Sequence, residues 1–322
     1  MSVGDRGESA RMNLGYDQSL YMLAFDHRAS FQKGLFGITG TPTTEERARI
    51  SQSKQVIFEG LRRAVEEGAP KQWAGLLVDE DFGAVVARAA RREGFTLAMP
   101  VEKSGQDEFD FEYGEDFGAH IEAFDPTFTK VLVRYNPEGD QEMNQRQLAR
   151  LRRLSDWLHE RYRKFLFELL VPAEPAQLER VGGDKDRYDL EIRPGLVVGA
   201  IAESQAAGVE PDIWKIEGLD RREDCARTVE QARADGRDRV SCIVLGRGAN
   251  EERVIQWLRV GASVPGYIGF AVGRTIWWDP LKSWVAGDAD SDSAAQTIGH
   301  NYRSMVDAYE SAAAEAHAKA RE

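Results

Sequence analysis

Short apolar runs alternate with long amphipathic stretches from Leu20 almost to the end of the chain, a rhythm that predicts repeated βα units around a parallel sheet. Eight runs read as strands: 20–25, 75–78, 96–101, 130–135, 164–170, 212–216, 241–245 and 267–271. Between them the 3.6-residue period predicts helices over 44–67 (Thr44 as N-cap, Gly68 as stop), 83–93, 141–161, 194–207, 222–234 and 250–260. Helical stretches over 280–285 and 293–312 close the chain, residues 104–125 read as a long acidic and aromatic loop with one turn of helix at 113–124, and 172–189 as a charged insertion. Eight strand–helix units is the count of a (β/α)8 TIM barrel, so the fold class is α/β. A doubly wound sheet is the rival, but it would place a glycine-rich turn after the first strand, where this chain has Asp26-His27-Arg28. One domain is expected over 1–322, with tails at 1–18 and 313–322.

Composition narrows the range of functions. The 322 residues suit the roughly 250 of a barrel plus insertions, and 42% hydrophobic with 30% charged residues suits a large core under a solvated surface. A net charge of -12 repels a phosphate backbone, so no nucleic-acid partner is expected. Two cysteines, Cys225 and Cys242, make neither a disulfide framework nor a zinc site. No run approaches the roughly 18 apolar residues of a membrane span, and the polar start shows no secretory core, so the expectation is a reduced, cytoplasmic setting without a membrane partner.

In such barrels chemistry gathers at the C-terminal ends of the strands. The polar residues late in the predicted strands, or just beyond them, are Asp26, His27, Arg28, Asp79, Glu80, Glu102, Lys103, Arg134, Asn136, Glu168, Lys215, Glu217, Arg247 and Arg274. Lys215 is the most informative. Alternation puts Ile213, Lys215 and Glu217 on one face and the bulky Trp214 and Ile216 on the other, so Lys215 points into the barrel. Desolvation and nearby cations there favour a neutral amine able to attack a ketone, although a structural ion pair with Glu217 or Glu168 would also explain the residue. Glu168 interrupts the apolar run FLFELLV and should share the lumen, as a proton shuttle or as a partner that only orients the lysine. Asp26 could bind hydroxyls or polarise the lysine, and His27 should turn away or orient a neighbour. For Asp79 with Glu80 and Asp81, a structural or hydroxyl-binding role is preferred to a magnesium site.

The basic residues suggest an anionic ligand. Gly246-Arg247-Gly248 and Gly273-Arg274 follow the seventh and eighth runs, the usual phosphate position of this fold, where glycine admits an oxyanion to backbone N–H groups and arginine supplies forked donors. Arg28, Lys103 and Arg134 end runs on the opposite side and, if they converge, form a second anion site for a carboxylate; solvated rim charges are the alternative. The tryptophans 277, 278 and 284 read as a helix packed on the barrel, with a homo-oligomer surface as the alternative.

Several segments together resemble the class I aldolase superfamily: LAFDHR (23–28), LVD (77–79), PVEKSG (100–105), KVLVRYNP (130–137), FELL (167–170) and WKIE (214–217). The branch they are most similar to is the 5-dehydro-2-deoxyphosphogluconate aldolase family of inositol catabolism, which also occurs fused behind a sugar kinase; tagatose-bisphosphate and sulfofructose-phosphate aldolases are more distant. The resemblance spans about 20–311 and implies a Schiff base at Lys215, proton transfer by Glu168, assistance from Asp26, phosphate binding by Arg247 and Arg274, and no metal or other cofactor. The implied partner is a small sugar acid phosphate, 5-dehydro-2-deoxy-D-gluconate 6-phosphate, cleaved to glycerone phosphate and malonic semialdehyde. The alternatives are an aldolase for another ketose phosphate and a non-catalytic sugar-phosphate binder. A metal-dependent aldolase would need clustered histidines, whereas the five here are dispersed.

Overall fold

The computed structural model describes residues 14–321. Its parallel strands are β1 (Leu20–Ala24), β2 (Ala74–Leu77), β3 (Thr96–Pro100), β4 (Phe128–Arg134), β5 (Lys164–Leu170), β6 (Ile213–Glu217), β7 (Ser241–Leu245) and β8 (Tyr267–Val272). They close in sequence order into an eight-stranded barrel, β8 pairing back onto β1, so the (β/α)8 expectation holds. The two faces of each strand enter different cores. Met22, Leu77, Phe128, Leu166, Ile213 and Ile243 fill the lumen, whereas Phe165, Phe167, Trp214 and Ile216 join the larger core beneath the helices. Alternation therefore decides which polar side chains can reach the lumen.

The helices are fixed at their ends by local chemistry. Thr43, one residue before the predicted cap, forms a capping box: Glu46 N donates to Thr43 Oγ1 at 3.2 Å and Thr43 N to Glu46 Oε2 at 2.7 Å, starting Thr44–Glu66. Asp79 accepts from Phe82 N at 2.8 Å and starts Glu80–Arg92, three residues earlier than predicted. Ala29–Phe36 was not predicted as a helix; it is only eight residues long and has no side-chain cap. The expected turn near 113–124 is a short 3-10 turn followed by Phe117–Phe124, and the 172–189 insertion contains the helix Pro175–Arg180.

Both predicted tails are corrected where they are described. Residues 1–13 lie outside the described residues, but Leu14, Gly15 and Tyr16 are built into the barrel base. Gly15 N donates to Asp212 Oδ1 at 2.8 Å, and the Tyr16 ring meets Phe128 edge-on at 5.0 Å, below the lumen layer. At the other end Ser291–Lys319 is one helix, so 313–319 continue it as an exposed last stretch rather than forming a tail. The tyrosines of this helix bind the barrel: Tyr302 OH donates to Tyr21 O at 2.8 Å and Tyr309 OH to Tyr267 O at 2.9 Å. Trp277 is buried, donating to Ala24 O at 2.9 Å. Among the described residues no helix is long and apolar enough to cross a membrane.

Candidate active site

With its base filled, the barrel opens at the C-terminal ends of the strands into a cavity of about 430 Å³, bordered by Asp26, Glu102, Lys130, Glu168, Lys215, Arg247 and Arg274 among others. Its floor is a buried charge cluster. Glu168 on β5 and Lys215 on β6 are direct register partners, and both point inward as alternation requires. Lys215 Nζ lies 3.0 Å from Glu168 Oε2. The same oxygen lies 3.0 Å from Lys130 Nζ, which also donates to Asp26 Oδ2 at 2.8 Å and to Glu102 Oε1 at 2.7 Å. The Lys130 ammonium thus contacts acids from three other strand ends, those of β1, β3 and β5.

Lys130 is the residue the sequence reading missed. The fourth apolar run begins at Lys130, where no earlier residue fixes its face, but β4 begins at Phe128. Phe128 belongs to the lumen layer and Val131 and Val133 to the outer core, so Lys130 and Arg134 fall on the inner face. The available signal was that Val131, Val133 and Tyr135 claim the helix side of the strand.

The cluster polarises its own members. Burial drives the Lys130 ammonium toward neutrality, but Asp26, Glu102 and Glu168 overcome it and hold the charge far more firmly than usual. Burial would raise the Asp26 carboxyl; Lys130, then His27 and Lys215, outweigh it and keep Asp26 well below the ordinary range. Glu168 is also lowered, Lys130 and Lys215 outweighing its burial. Glu102 goes the other way: burial raises it, and Lys130 and Arg28 only partly offset that. The cluster therefore pairs firmly ionised acids with one that keeps its proton more readily, an arrangement typical of sites that move protons. Burial also pushes the His27 imidazole down to about 4 despite Asp26, and its ring meets Trp277 edge-on at 5.4 Å.

On the β7–β8 side, Arg247 and Gly248 adopt left-handed backbone angles, φ 53° and 70°, which turns the chain sharply after Gly246. Arg247 is clamped by Asp189 Oδ2 at 2.6 Å and Glu217 Oε1 at 2.9 Å. Arg274 NH2 donates to Arg247 O at 3.1 Å, and Arg274 forms no ion pair among the described residues. Gly273 packs so closely that a Cβ there would sit 2.4 Å from Ala24 O, and it precedes a helix, Arg274–Ala286, without a side-chain cap. The two loops meet through the Arg274–Arg247 contact, and Arg247 already holds two carboxylates.

The opposite rim is less uniform than expected. Arg28 is buried, donating to Glu102 O at 2.6 Å and to Glu112 Oε2 at 3.0 Å. Lys103 pairs with Asp110 at 3.0 Å. Arg134 donates to the Gln106 carbonyl at 2.8 Å, and its nearest acid, the exposed Asp107, is 3.9 Å away. All three border the cavity, but only Arg134 lacks a close carboxylate. Asp79 does not border it. It is fully buried between the barrel and a helix, receiving Lys54 Nζ at 2.6 Å, so of the two roles expected for it, structural and hydroxyl-binding, its contacts fit the structural one. Among the described residues no group of three or more His, Cys, Asp or Glu is placed to hold a metal ion.

Among solved structures, the chain is similar to fructose-bisphosphate aldolase from Plasmodium falciparum, seen in a ternary complex with TRAP and a small-molecule inhibitor: 13% identity, TM-score 0.63, covering 96% of each chain. It is also similar to fructose-bisphosphate aldolase from Slackia heliotrinireducens, at 14% identity and TM-score 0.54, covering 92% of this chain and 89% of that one. At these identities the likeness is one of fold. No curated protein matches the sequence. Residues 10–313 match the family model described as "Uncharacterized protein conserved in bacteria (DUF2090)", and the chain belongs to that family.

Proposed function

We propose that this protein is a Schiff-base aldolase, a metal-independent carbon–carbon lyase with Lys215 as its nucleophile. The observation that carries the reading is the placement of Lys215 Nζ in the lumen, 3.0 Å from a Glu168 oxygen that is also 3.0 Å from Lys130. A lysine amine at the floor of a cavity can add to a ketone, and the carbinolamine so formed loses its hydroxyl as water to give an iminium. Lys130, held as an ammonium, supplies the compensating positive charge, and Glu168 is within reach to move protons. The iminium then accepts the electron pair released when the bond between the α- and β-carbons breaks. Glu168 takes the proton of the β-hydroxyl as the aldehyde leaves. The enamine is reprotonated, and water releases the second product and restores the amine.

The substrate suggested by the residue resemblance is 5-dehydro-2-deoxy-D-gluconate 6-phosphate, giving glycerone phosphate and malonic semialdehyde. Its phosphate would meet Arg274, Gly248, Gly273 and Arg247, and its carboxylate Arg134, the least neutralised cation on the far rim. Asp26, kept ionised beside Lys130, would hold a substrate hydroxyl. A cleavage assay on this compound beside tagatose bisphosphate and sulfofructose phosphate tests the reading. The sugar acid phosphate should be preferred, and Lys215→Ala should lose activity by a factor on the order of a thousand or more. Equal turnover by wild type and Lys215→Ala would reject the mechanism, and preference for a bisphosphate would reject the substrate.

A further inference from the structure

Glu102 is the one acid of the cluster to which the proposed reaction gives no step, yet its surroundings are the most constrained. Its Oε1 accepts from Lys130 Nζ at 2.7 Å, while its Oε2 is buried with no hydrogen-bond partner. Arg28 stands behind it, NH2 donating to the Glu102 backbone oxygen at 2.6 Å and lying 3.9 Å from Oε1. Through NH1 Arg28 grips Glu112 at 3.0 Å. Glu112 lies on the far arm of a hairpin in which Lys103 N donates to Asp110 O and Glu112 N to Val101 O, both at 2.9 Å, with Glu102 bridged to Phe111. The near arm and tip of that hairpin, Glu102 to Gln106, border the cavity. A line of alternating charge therefore runs from the floor to the mouth: Lys215, Glu168, Lys130, Glu102, Arg28, Glu112.

An ammonium has three N–H donors; those of Lys130 make hydrogen bonds to Asp26 at 2.8 Å and Glu102 at 2.7 Å, and Glu168 Oε2 lies 3.0 Å away as its third carboxylate. Removing one anchor frees an N–H and loosens the direction in which the others point. A buried carboxylate with a bare oxygen is also costly, and protonation reduces that cost, so among the three acids Glu102 is the one that titrates most readily toward neutrality. The groups facing it are Lys130 from β4, Arg28 and Asp26 from the end of β1, and, behind Arg28, Glu112. Its raised carboxyl agrees with that environment.

We infer that Glu102 is a positioning residue: its negative charge aims the Lys130 ammonium at Glu168 and ties that ammonium, through Arg28, to the hairpin walling the mouth. In its catalytic consequence this rests on the Schiff-base reading. When Glu102 is ionised, Lys130 is held on three sides and shares Glu168 with Lys215 in a fixed geometry. When Glu102 gains a proton, the hold weakens and the lysine pair loses its alignment. Turnover should then fall as pH drops through the Glu102 titration, giving an acid limb displaced upward from that of an ordinary glutamate.

Glu102→Gln tests this, because it keeps size and an acceptor oxygen but cannot ionise. Expected is a fall in kcat of about tenfold with KM changed less than about twofold, and loss of the acid limb, while Glu102→Asp retains a limb. In a Lys130→Met background Glu102→Gln should cost nothing further, since the residue acts through Lys130. An unchanged acid limb in Glu102→Gln, or the same loss in both backgrounds, would overturn the inference. The pH titration of the Lys130 Nζ resonance by NMR needs no turnover and separates this from a failure of the aldolase reading. The wild-type signal should shift with the Glu102 titration and the Glu102→Gln signal should not; identical titrations would overturn the inference even in an active enzyme. If neither protein cleaves any sugar phosphate but the two titrations differ, the positioning role stands and the aldolase reading falls.

Discussion

The protein buries lysine against carboxylate in two places, and the contrast separates scaffold from site. Between the barrel wall and a helix, Lys54 and Asp79 form a closed one-to-one pair with no exposure on either side. Lys54 Nζ also donates to the carbonyls of Phe25 and His27, and the second oxygen of Asp79 caps a helix, so donors and acceptors are matched. In the lumen, two lysines meet three acids, one Glu168 oxygen serves both lysines, a Glu102 oxygen has no partner, and the group borders a cavity. Burial and ion pairing are common to both places. What marks the lumen is an unbalanced and incompletely satisfied set with access to a ligand.

Substitutions in each place should break the protein differently. Glu168→Gln keeps the shape of the lumen but removes the proposed proton carrier, and turnover should fall by roughly a hundred- to ten-thousandfold with little change in thermal midpoint. A large loss of stability with normal turnover per folded molecule would place Glu168 with the scaffold. Lys54→Met should behave in the opposite way. It strands a buried carboxylate and should cost about 3–5 kcal/mol in denaturant unfolding, while the folded fraction keeps its activity. A smaller effect is expected at the rim, where Arg134→Ala should raise KM for a substrate with a distal carboxylate by about tenfold and leave kcat nearly unchanged. No change in KM would leave Arg134 as a tether for the Gln106 carbonyl alone.

The same contrast explains what could be read from sequence. Lys215 and Glu168 were legible because each sits inside an apolar run whose alternation fixes its face, and register then makes them neighbours. Lys130 was lost because it fell at the presumed start of a strand, and Glu102, though picked out by its position, was given no role because it stands just past the end of β3, where alternation stops. Asp79 stayed open between two roles for a related reason. A carboxylate between a strand and a helix can face a ligand or cap the helix, and only the buried Lys54, distant in sequence, decides between them. The eight-strand count survived boundary errors of one or two residues because it depends on periodicity rather than on element ends. The state of the rim arginines was not legible at all, since their partners Asp189 and Glu112 lie in segments read as an insertion and a loop.

Whether Lys215 forms a Schiff base is decided by borohydride trapping with glycerone phosphate, read by peptide mass spectrometry. One reduced adduct is expected on Lys215, absent from Lys215→Ala; an adduct confined to another lysine, or none at all, would rule out Lys215 as the nucleophile.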